Sequence, residues 1–412
     1  MDEESMPGFD TLAVSHGEKL DQRTDDAGGA VAPIQLASTF ALEGLDFEKS
    51  LEEFDPAQGE YLYSRLANPT RQALEERLAA LEGGEHAFAY ASGTSAVATT
   101  ALATLEPGDH MVAFDDLYGG TRRLFEELLA DRLDIDVSFV DARDPDNVVD
   151  ALTDRTRLVW METPTNPILR LCDVEAIAER IPEKAKLGVD NTFASPAFQR
   201  PLELGADVVA HSTTKYLNGH SDSLGGAVIT DDDGLAEQMG FLQRVGLGNV
   251  LSPFDSYMVL RGIKTLPLRM QRHEANATVL AEYLQEHEMV RTVNYPGLES
   301  HSQHDLARRQ MDGYGGVLSF ELQGSMDDAK TFLEALEEFT LAVSLGGVES
   351  LVELPAAMTH EPIPREQRQA IGIADTLIRI SAGVEDPADL LADLETGFEA
   401  VAADRQATTA DD

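Results

Sequence analysis

The sequence predicts an α/β protein with a large domain built on a parallel sheet, followed by a smaller α+β domain. Short apolar segments alternate with helical segments up to about residue 255, a pattern typical of parallel strands joined by helices. From residue 256 the pattern changes to a long helical stretch that leads into a few strands. With 412 residues and 43% hydrophobic content, the chain is long enough to form more than one domain.

The first element with clear boundaries is a helix within "NPTRQALEERLAALEGG", residues 68–84. Asn68 is a residue type that caps helices, Pro69 suits the first turn, and Gly83 suits the end. The strands that follow are predicted in "HMVAFDD", "RLVWMET", "KLGVDNT" and "ADVVAHS". Helices are predicted in "TRRLFEELLADRL", "DVEAIAERI" and "GLAEQMGFLQRV". The alternation favours a parallel sheet with helices on its faces.

The predicted small domain begins with one long helical stretch, "SYMVLRGIKTLPLRMQRHEANATVLAEYLQEH", and continues into the strands "GGVLSFEL" and "DTLIRISAG". We therefore divide the chain into four regions by composition and pattern. These are an N-terminal arm at 1–60, a large domain at 61–255, a small domain at 256–400 and a polar tail at 401–412.

The charge balance excludes some classes of partner. Lys and Arg number 31 and Asp and Glu number 74, so the formal net charge is 31 − 74 = −43. Such a surface repels phosphate backbones and anionic lipid, so we expect neither a nucleic-acid nor a membrane partner. Concentrated salt screens an acidic surface, and the charge therefore suggests a halophilic protein.

The cysteine count and the N-terminus bear on the cellular compartment. Cys172 is the single cysteine, which excludes an intrachain disulfide and a zinc site made of thiolates. The N-terminal "MDEESMPGFD" is acidic and lacks the apolar segment of a signal peptide. We expect a cytoplasmic protein.

Polar residues collect where three predicted strands end. One strand leads into Glu162 and Asn166, and the next ends at Asp190. A third leads into "HSTTK", which contains Ser212, Thr214 and Lys215. Ligands bind at the carboxyl ends of strands in open parallel sheets. These side chains are therefore expected to form one site.

A second signal is "ASGTSA", residues 91–96, where small residues open a helix after a short strand. Free N–H groups and the helix dipole at such a start bind anions, although an ordinary capped helix has the same pattern. The sequence has neither G-x-G-x-x-G nor a P-loop, which argues against nicotinamide and nucleotide triphosphates. A phosphate site, an acid and a lysine together suggest pyridoxal phosphate, with Lys215 bound to the aldehyde and Asp190 paired with the ring nitrogen.

Eight segments, taken in order, resemble the Cys/Met-metabolism family of pyridoxal-phosphate enzymes, which includes cystathionine γ-synthase and cystathionine γ-lyase. They are "YLYSRLANPT", "ASGTSA", "DDLYGGT", "ETPTNP", "VDNTFASP", "HSTTKYLNGHSD", "VSLGGVESLVELPAAMTH" and "LIRISAGVED". The resemblance covers roughly Pro7 to Ala400. It implies fold type I, the aspartate-aminotransferase-like fold, and a homotetramer built of dimers in which the arm reaches a neighbouring subunit.

The resemblance also implies roles for individual residues. Lys215 matches the cofactor-binding lysine, Asp190 the partner of the ring nitrogen, and Tyr118 the tyrosine that stacks on the ring and assists proton transfer. The implied phosphate-binding residues are Gly93, Thr94, Ser212 and Thr214, joined by Tyr63 and Arg65 of the neighbouring subunit. The implied substrate-carboxylate site consists of Arg379, Asn166 and Ser344.

The implied activity is transsulfuration at the γ-carbon of sulfur amino acids or O-acylhomoserine, as in methionine and cysteine metabolism. Val343 departs from the pattern, because γ-synthases and γ-lyases commonly carry glutamate there and methionine γ-lyases often carry valine. Gly120 points the other way, since methionine γ-lyases carry cysteine at that place. Methionine γ-lyase and cystathionine β-lyase therefore stay open as alternatives. A catalytically silent, cofactor-binding assembly protein is a remoter one.

His301 and His304 offer a possible metal pair. Two histidines without a third ligand more often lie on a polar helix face than bind zinc. We therefore expect no metal site.

Overall fold

The structure is a computed structural model that describes residues 7–18, 29–42, 56–361 and 363–411. Part of the predicted arm, residues 1–6, 19–28 and 43–55, lies outside the described residues, as do 362 and 412. The α-helices of the described chain are α1 (Phe9–Ser15), α2 (Pro69–Glu82), α3 (Gly93–Thr104), α4 (Gly119–Arg123), α5 (Asp131–Leu133), α6 (Pro145–Ala151), α7 (Val174–Ala178), α8 (Ser195–Phe198), α9 (Asp233–Phe241), α10 (Pro253–Ile263), α11 (Leu266–Glu286), α12 (His304–Gln310), α13 (Met326–Glu334), α14 (Arg365–Ala370) and α15 (Pro387–Asp411).

The strands of the described residues form two sheets. They are β1 (His86–Tyr90), β2 (His110–Phe114), β3 (Asp136–Val140), β4 (Thr156–Glu162), β5 (Lys186–Asp190), β6 (Val208–His211), β7 (Gly226–Thr230), β8 (Val290–Asn294), β9 (Val317–Leu322), β10 (Thr340–Leu341), β11 (Leu351–Glu353) and β12 (Leu377–Ser381). Short 3₁₀ turns occur at Pro56–Gln58, Pro201–Leu204 and Pro355–Ala357, and π-helical segments at Leu124–Ala130 and Leu242–Gly246.

The larger sheet confirms the predicted α/β class. Within the described residues it has seven strands in the order β1-β7-β6-β5-β4-β2-β3. Strand β7 runs antiparallel to both of its neighbours, and the remaining pairs are parallel. Because β4, β5 and β6 are adjacent and parallel, their carboxyl ends meet at one edge of the sheet. Glu162, Asp190 and His211 occupy these ends.

The predicted helix at 68–84 is α2, and its ends follow the sequence signals. The Asn68 side chain accepts hydrogen bonds from the backbone N–H groups of Thr70 and Arg71. Gly83 ends the helix with φ 77°, a left-handed conformation that glycine adopts without steric cost. The buried face of α2 includes Leu74 and Leu78.

The smaller sheet belongs to the C-terminal region. Its order is β10-β11-β12-β9-β8, and every pair except β10–β11 is antiparallel. Its buried core includes Phe320, Phe332 and Phe398, which brings together residues of β9, α13 and α15. The register places Glu353 of β11 directly opposite Arg379 of β12.

Two details of the C-terminal half differ from the sequence predictions. The single long helical stretch is two helices, α10 and α11, which are interrupted at Lys264 and Thr265 before Pro267 in the first turn of α11. The segment expected as a polar tail is helical, because α15 continues to Asp411. The proposed division into arm, large domain, small domain and tail stays a prediction.

Candidate active site

Lys215 lies just beyond β6 and reaches the C-terminal region. Its Nζ donates a hydrogen bond to Ser344 Oγ at 2.6 Å. Burial, and to a smaller extent the nearby Arg379 cation, lower the pKa of Lys215 to about 8, while the Glu353 carboxylate opposes this shift. A larger fraction of this amine is therefore neutral at pH 7 to 8 than of an exposed lysine.

Asp190 ends β5 and lies beside the segment that leads to Lys215. Its Oδ1 accepts hydrogen bonds from Thr192 N at 3.0 Å and Thr192 Oγ1 at 2.6 Å. Among the described residues no hydrogen-bond partner is found for Oδ2. Burial raises the pKa of Asp190, whereas the Thr192 hydrogen bonds and the neighbouring His211 lower it. The carboxylate thus keeps one oxygen for a cationic or N–H ligand.

Glu162 fixes the loop that carries Tyr118. It ends β4 directly opposite Asp190 and accepts a hydrogen bond from Tyr118 N at 2.8 Å. Burial, together with the Asp190 charge, raises the pKa of Glu162 well above its usual range. The Tyr118 ring itself is 49% exposed and therefore accessible to a ligand.

The start of α3 approaches the loop after β6 closely. A Cβ atom at Gly93 would lie 2.9 Å from Ser212 Cβ, so this approach requires glycine. Ser92 caps the helix by accepting a hydrogen bond from Ser95 N at 3.1 Å. The Ser212 hydroxyl has no hydrogen-bond partner among the residues described. The N–H groups of Gly93 and Thr94 and this hydroxyl thus form a cradle suited to an anion.

Thr214, also predicted to bind phosphate, already has a local partner. Its hydroxyl donates to Gly225 O at 3.2 Å and accepts from Gly225 N at 3.0 Å. Its role as a phosphate ligand stays a prediction.

Arg379 is buried in β12 and is held by three elements. Its Nη1 donates to Asn166 Oδ1 at 2.9 Å and lies 2.9 Å from Glu353 Oε1, while Nη2 donates to Ser344 O. Ser344 has φ 97°, which turns its carbonyl and hydroxyl towards Arg379 and Lys215 respectively. Val343, one residue earlier, is 56% exposed.

Tyr63 and Arg65 lie on the surface of this chain. Tyr63 is 43% exposed, the Arg65 guanidinium lies 5.6 Å from the Tyr63 ring centroid, and Arg65 donates to Arg244 O. The buried Arg71 holds the loop between them and α2 by donating to Ser64 O at 2.8 Å and Leu66 O at 3.2 Å. Both predicted residues are therefore presented on a fixed loop.

The residues present fit pyridoxal phosphate. The amine of Lys215, the unpartnered oxygen of Asp190 and the cradle at Gly93 and Ser212 match the aldehyde, the ring nitrogen and the phosphate. A hydrogen-bond path connects these groups, because Thr192 Oγ1 donates to Asp190 and accepts from Ser212 N at 2.9 Å. Lys215 N in turn donates to Ser212 O at 3.2 Å.

Sequence reasoning missed two buried acidic residues near this site. Glu353 lies opposite Arg379 in the smaller sheet and forms an ion pair with its guanidinium. Glu82 pairs with His211, with 2.5 Å between Oε1 and Nε2, and both are buried. Both glutamates are recognised by their buried partners, which lie far away in the sequence. The sequence pattern does not predict such contacts.

The described residues outside this site contain few further candidates. Cys172 is buried, and burial raises the pKa of its thiol. His304 starts α12, and its Nδ1 contacts Pro296 O at 2.9 Å. Within the described ranges, the group with metal-ligand spacing is Glu85, His86 and Asp233, which is largely exposed. No helix in the described chain is both long and apolar enough to cross a membrane.

Comparison with known proteins identifies relatives along nearly the full length. The model of the family described as Cys/Met metabolism PLP-dependent enzyme matches residues 10–399. Cystathionine gamma-lyase of Dictyostelium discoideum is 47% identical over 394 residues, covering 94% of this chain and 97% of the relative. Cystathionine beta-lyase of Coxiella burnetii is 49% identical over 392 residues, covering 95% of this chain and 97% of the relative.

A solved structure is similarly close. Cystathionine gamma synthase from Xanthomonas oryzae pv. oryzae, in complex with cystathionine, superposes with a TM-score of 0.90 at 44% identity. The superposition covers 97% of this chain and 100% of that one.

Proposed function

The chain belongs to the Cys/Met-metabolism PLP-dependent enzymes, and on that premise we propose that it acts at the γ-carbon of sulfur amino acids or O-acylhomoserine. The specific activity proposed is that of a cystathionine γ-lyase or γ-synthase. The observation that carries this proposal is the convergence of Lys215 and Arg379 on Ser344, one through its hydroxyl and the other through its carbonyl. A base and a carboxylate-binding cation thus lie on either side of one residue.

The cofactor, when bound, stabilises negative charge at the carbon next to the substrate nitrogen. The chain's own residues supply the remaining functions. The Lys215 amine removes and returns the proton at Cα, and its lowered pKa suits that exchange near neutral pH. Asp190 would hold a proton at the ring nitrogen of the cofactor, and Tyr118 would pack against its ring. Arg379 orients the substrate carboxylate, so that the Cα–H bond faces the lysine.

One assay series tests this proposal. Purified protein with bound cofactor is given cystathionine, methionine, cysteine, or O-acylhomoserine with cysteine, and the products are identified. We expect the highest kcat/KM with cystathionine or with the O-acylhomoserine pair. Turnover of none of these compounds would support the silent assembly protein instead.

Two positions bear on methionine γ-lyase as the second candidate. Val343 lies next to Ser344 and is exposed, so it offers an apolar surface and no acceptor for a distal ammonium group. At Gly120, a Cβ atom would lie 2.4 Å from Tyr118 Cε1. A cysteine there would therefore require the Tyr118 ring to move, so this site as it stands does not accommodate the cysteine of typical methionine γ-lyases.

We expect Val343→Glu to raise kcat/KM for cystathionine relative to methionine by at least about tenfold. The new carboxylate provides a charge-assisted partner for the distal ammonium of cystathionine, a contact worth about 1.5–3 kcal/mol. Arg122 and Arg123 are already paired with Glu126 and Glu127, at 3.0 and 2.9 Å, which limits their competition for the new group. Steady-state kinetics with both substrates measure the ratio.

Val343→Gln is the matched control, since glutamine has the same size as glutamate but carries no charge. It should change the ratio much less than Val343→Glu. Equal ratios in the parent and both variants would remove position 343 as a determinant of substrate choice.

We also propose that the active sites are shared within a homotetramer built of dimers. Tyr63 and Arg65 lie on the surface, and Arg65 contacts the segment 241–254. That segment exposes large apolar side chains, namely Phe241, Val245, Leu247 and Phe254, at 48% to 59%. Four exposed apolar side chains beside two predicted phosphate ligands support an interface between copies of this chain.

Mixed dimers of Arg65→Ala and Lys215→Ala subunits are expected to recover part of the parent activity. If sites are shared, one of the two sites in a mixed dimer receives both Lys215 and Arg65 intact. Co-expression with two affinity tags isolates the mixed species, and its turnover is measured. Mixed dimers of Arg65→Ala and Tyr63→Ala serve as the control, because neither of their sites is complete. Equal activity in the two mixtures would contradict sharing.

The proposed setting is the cytoplasm of a cell that holds concentrated salt. At −43 formal charge, self-repulsion grows as the Debye length rises from ~3 Å at 1 M salt to ~30 Å at 0.01 M. We expect the melting temperature to rise with salt over that range. A melting temperature independent of salt would remove this proposal.

A further inference from the structure

Glu353 and Arg379 form a cross-strand pair beneath the candidate substrate site. They are directly opposed in the antiparallel pair β11–β12, and both are almost completely buried, at 0% and 2% exposure. Glu353 Oε1 lies 2.9 Å from Arg379 Nη1 and accepts a hydrogen bond from Thr359 Oγ1 at 3.0 Å. The sheet register therefore fixes the anion at one side of the guanidinium.

The partners of Arg379 within the described residues leave two of its N–H donors unused. An arginine has five N–H donors. Nη1 faces Asn166 and Glu353, and Nη2 donates to Ser344 O. Nε is buried and has no hydrogen-bond partner among the described residues. Nε and the second N–H of Nη2 are the donors that remain for a carboxylate ligand.

The same pair influences the charge that Lys215 experiences. The Arg379 cation lowers the pKa of Lys215 and the Glu353 anion raises it, so the two effects oppose each other. Without Glu353, the buried guanidinium would lose the carboxylate with which it forms its ion pair, and its effect on Lys215 would no longer be opposed. A buried charge that loses its partner interacts more strongly with any other ion that reaches it.

We propose that Glu353 is the resident counter-ion of Arg379, a positioning residue that fixes the guanidinium and offsets its charge so that the substrate carboxylate is held reversibly at the remaining N–H donors. The proposal depends on the proposed role of Arg379 as the carboxylate-binding residue. Glu353 acts through Arg379 and contacts no substrate in this arrangement. Its removal should therefore strengthen binding of an amino acid relative to that of the corresponding amide, which lacks the carboxylate.

The test is a binding titration, followed by the absorbance of the bound cofactor, with L-alanine and L-alaninamide. Neither compound has a γ-substituent, and the amide lacks the carboxylate. The ratio of the two dissociation constants, amide over acid, is compared between variants at one pH and one chloride concentration, so that differences in amine basicity cancel. We expect Glu353→Gln to raise this ratio by at least about fivefold, because the guanidinium charge is no longer offset.

Glu353→Asp is the second variant. Aspartate keeps the negative charge, but its side chain is shorter by one methylene group, so the carboxylate lies farther from Arg379. The ratio should therefore rise by a smaller factor than in Glu353→Gln. If Glu353→Gln does not fold, Glu353→Asp decides the question alone. A ratio equal to that of the parent in every variant that folds overturns the proposal.

Two further variants separate the possible failures. Glu321→Gln is the matched control, since Glu321 also lies in the smaller sheet and pairs with an arginine, Arg291, away from the site. Its ratio should equal that of the parent, and a rise there would mean that the effect is not specific to Glu353. Arg379→Lys should lower the ratio. If Arg379→Lys leaves the ratio unchanged, the proposed role of Arg379 itself is wrong. If Arg379→Lys lowers the ratio but Glu353→Gln and Glu353→Asp match the parent, only the counter-ion role of Glu353 is wrong.

Discussion

Lys215→Ala is expected to abolish covalent capture of pyridoxal phosphate and to reduce turnover below detection. Lys215 is the amine that the structure places against Ser344 and beside Arg379, in surroundings that lower its pKa to about 8. Alanine removes the amine and creates only a small space at a half-buried position. The fold should therefore persist, and far-UV circular dichroism should match that of the parent.

Borohydride reduction followed by peptide mass spectrometry is the direct measurement. Cofactor should be fixed on Lys215 in the parent and on no residue in Lys215→Ala. Lys264→Ala is the matched control, because Lys264 is also partly buried, at 28% side-chain exposure, and pairs with Glu18 at 2.8 Å. It should be labelled as fully as the parent. Labelling of a different lysine in the parent would refute the assignment.

The pH dependence of capture follows from the same surroundings. Only the neutral amine attacks an aldehyde, and burial together with the Arg379 cation lowers the pKa of Lys215 to about 8. The rate at which cofactor-free protein captures added pyridoxal phosphate should therefore rise with pH and level off above about pH 8. A rate that keeps rising to pH 10 would show that the amine is exposed.

Asp190→Asn is expected to lower kcat by about 10²–10³-fold, the scale seen when one group that stabilises developing charge is removed. The amide oxygen can still accept from Thr192, so the local shape is kept. A neutral amide cannot hold a proton at the ring nitrogen, and negative charge at Cα is then poorly stabilised. Cofactor affinity should change far less than kcat, because the phosphate cradle is untouched.

Glu162→Gln is the matched control for Asp190→Asn. Glu162 lies opposite Asp190 in the sheet, and burial raises the pKa of its carboxyl well above the usual range. Glutamine keeps an oxygen that can accept the hydrogen bond from Tyr118 N, so the local shape is retained and kcat should fall much less. Equal losses in the two variants, or near-parent turnover in Asp190→Asn, would refute the role given to Asp190.

The large sheet and its carboxyl edge were predictable because their signals are local. Apolar runs locate β4, β5 and β6, and parallel neighbours place their ends together. The caps of α2 at Asn68 and Gly83 were likewise readable, since each depends on one residue's chemistry. Lys215 and Asp190 follow from this local information, and the resemblance to a known family adds the names of their roles.

The surroundings of Arg379 were not predictable in the same way. Glu353 and Arg379 are 26 positions apart, and their contact depends on the register of two antiparallel strands. A shift of one residue would place the carboxylate on the other face of the sheet, and the residue pattern of the three-residue strand β11 does not exclude that shift. The partners of Tyr63 and Arg65 depend on a second chain and stay a prediction.

Trp160 gives this protein a single built-in optical reporter. It is the one tryptophan of the sequence, is fully buried in β4 and packs edge-on against Phe125. On the neighbouring strand β5 it lies opposite Gly188, two residues before Asp190. A Cβ atom at Gly188 would lie 2.6 Å from the indole ring, so glycine at this position leaves the space that the ring fills. Because the indole emits from the strand next to the proposed ring-binding carboxylate, its fluorescence should be quenched by energy transfer when the cofactor binds. Loading of each variant can therefore be followed in real time, without labels and without substrate.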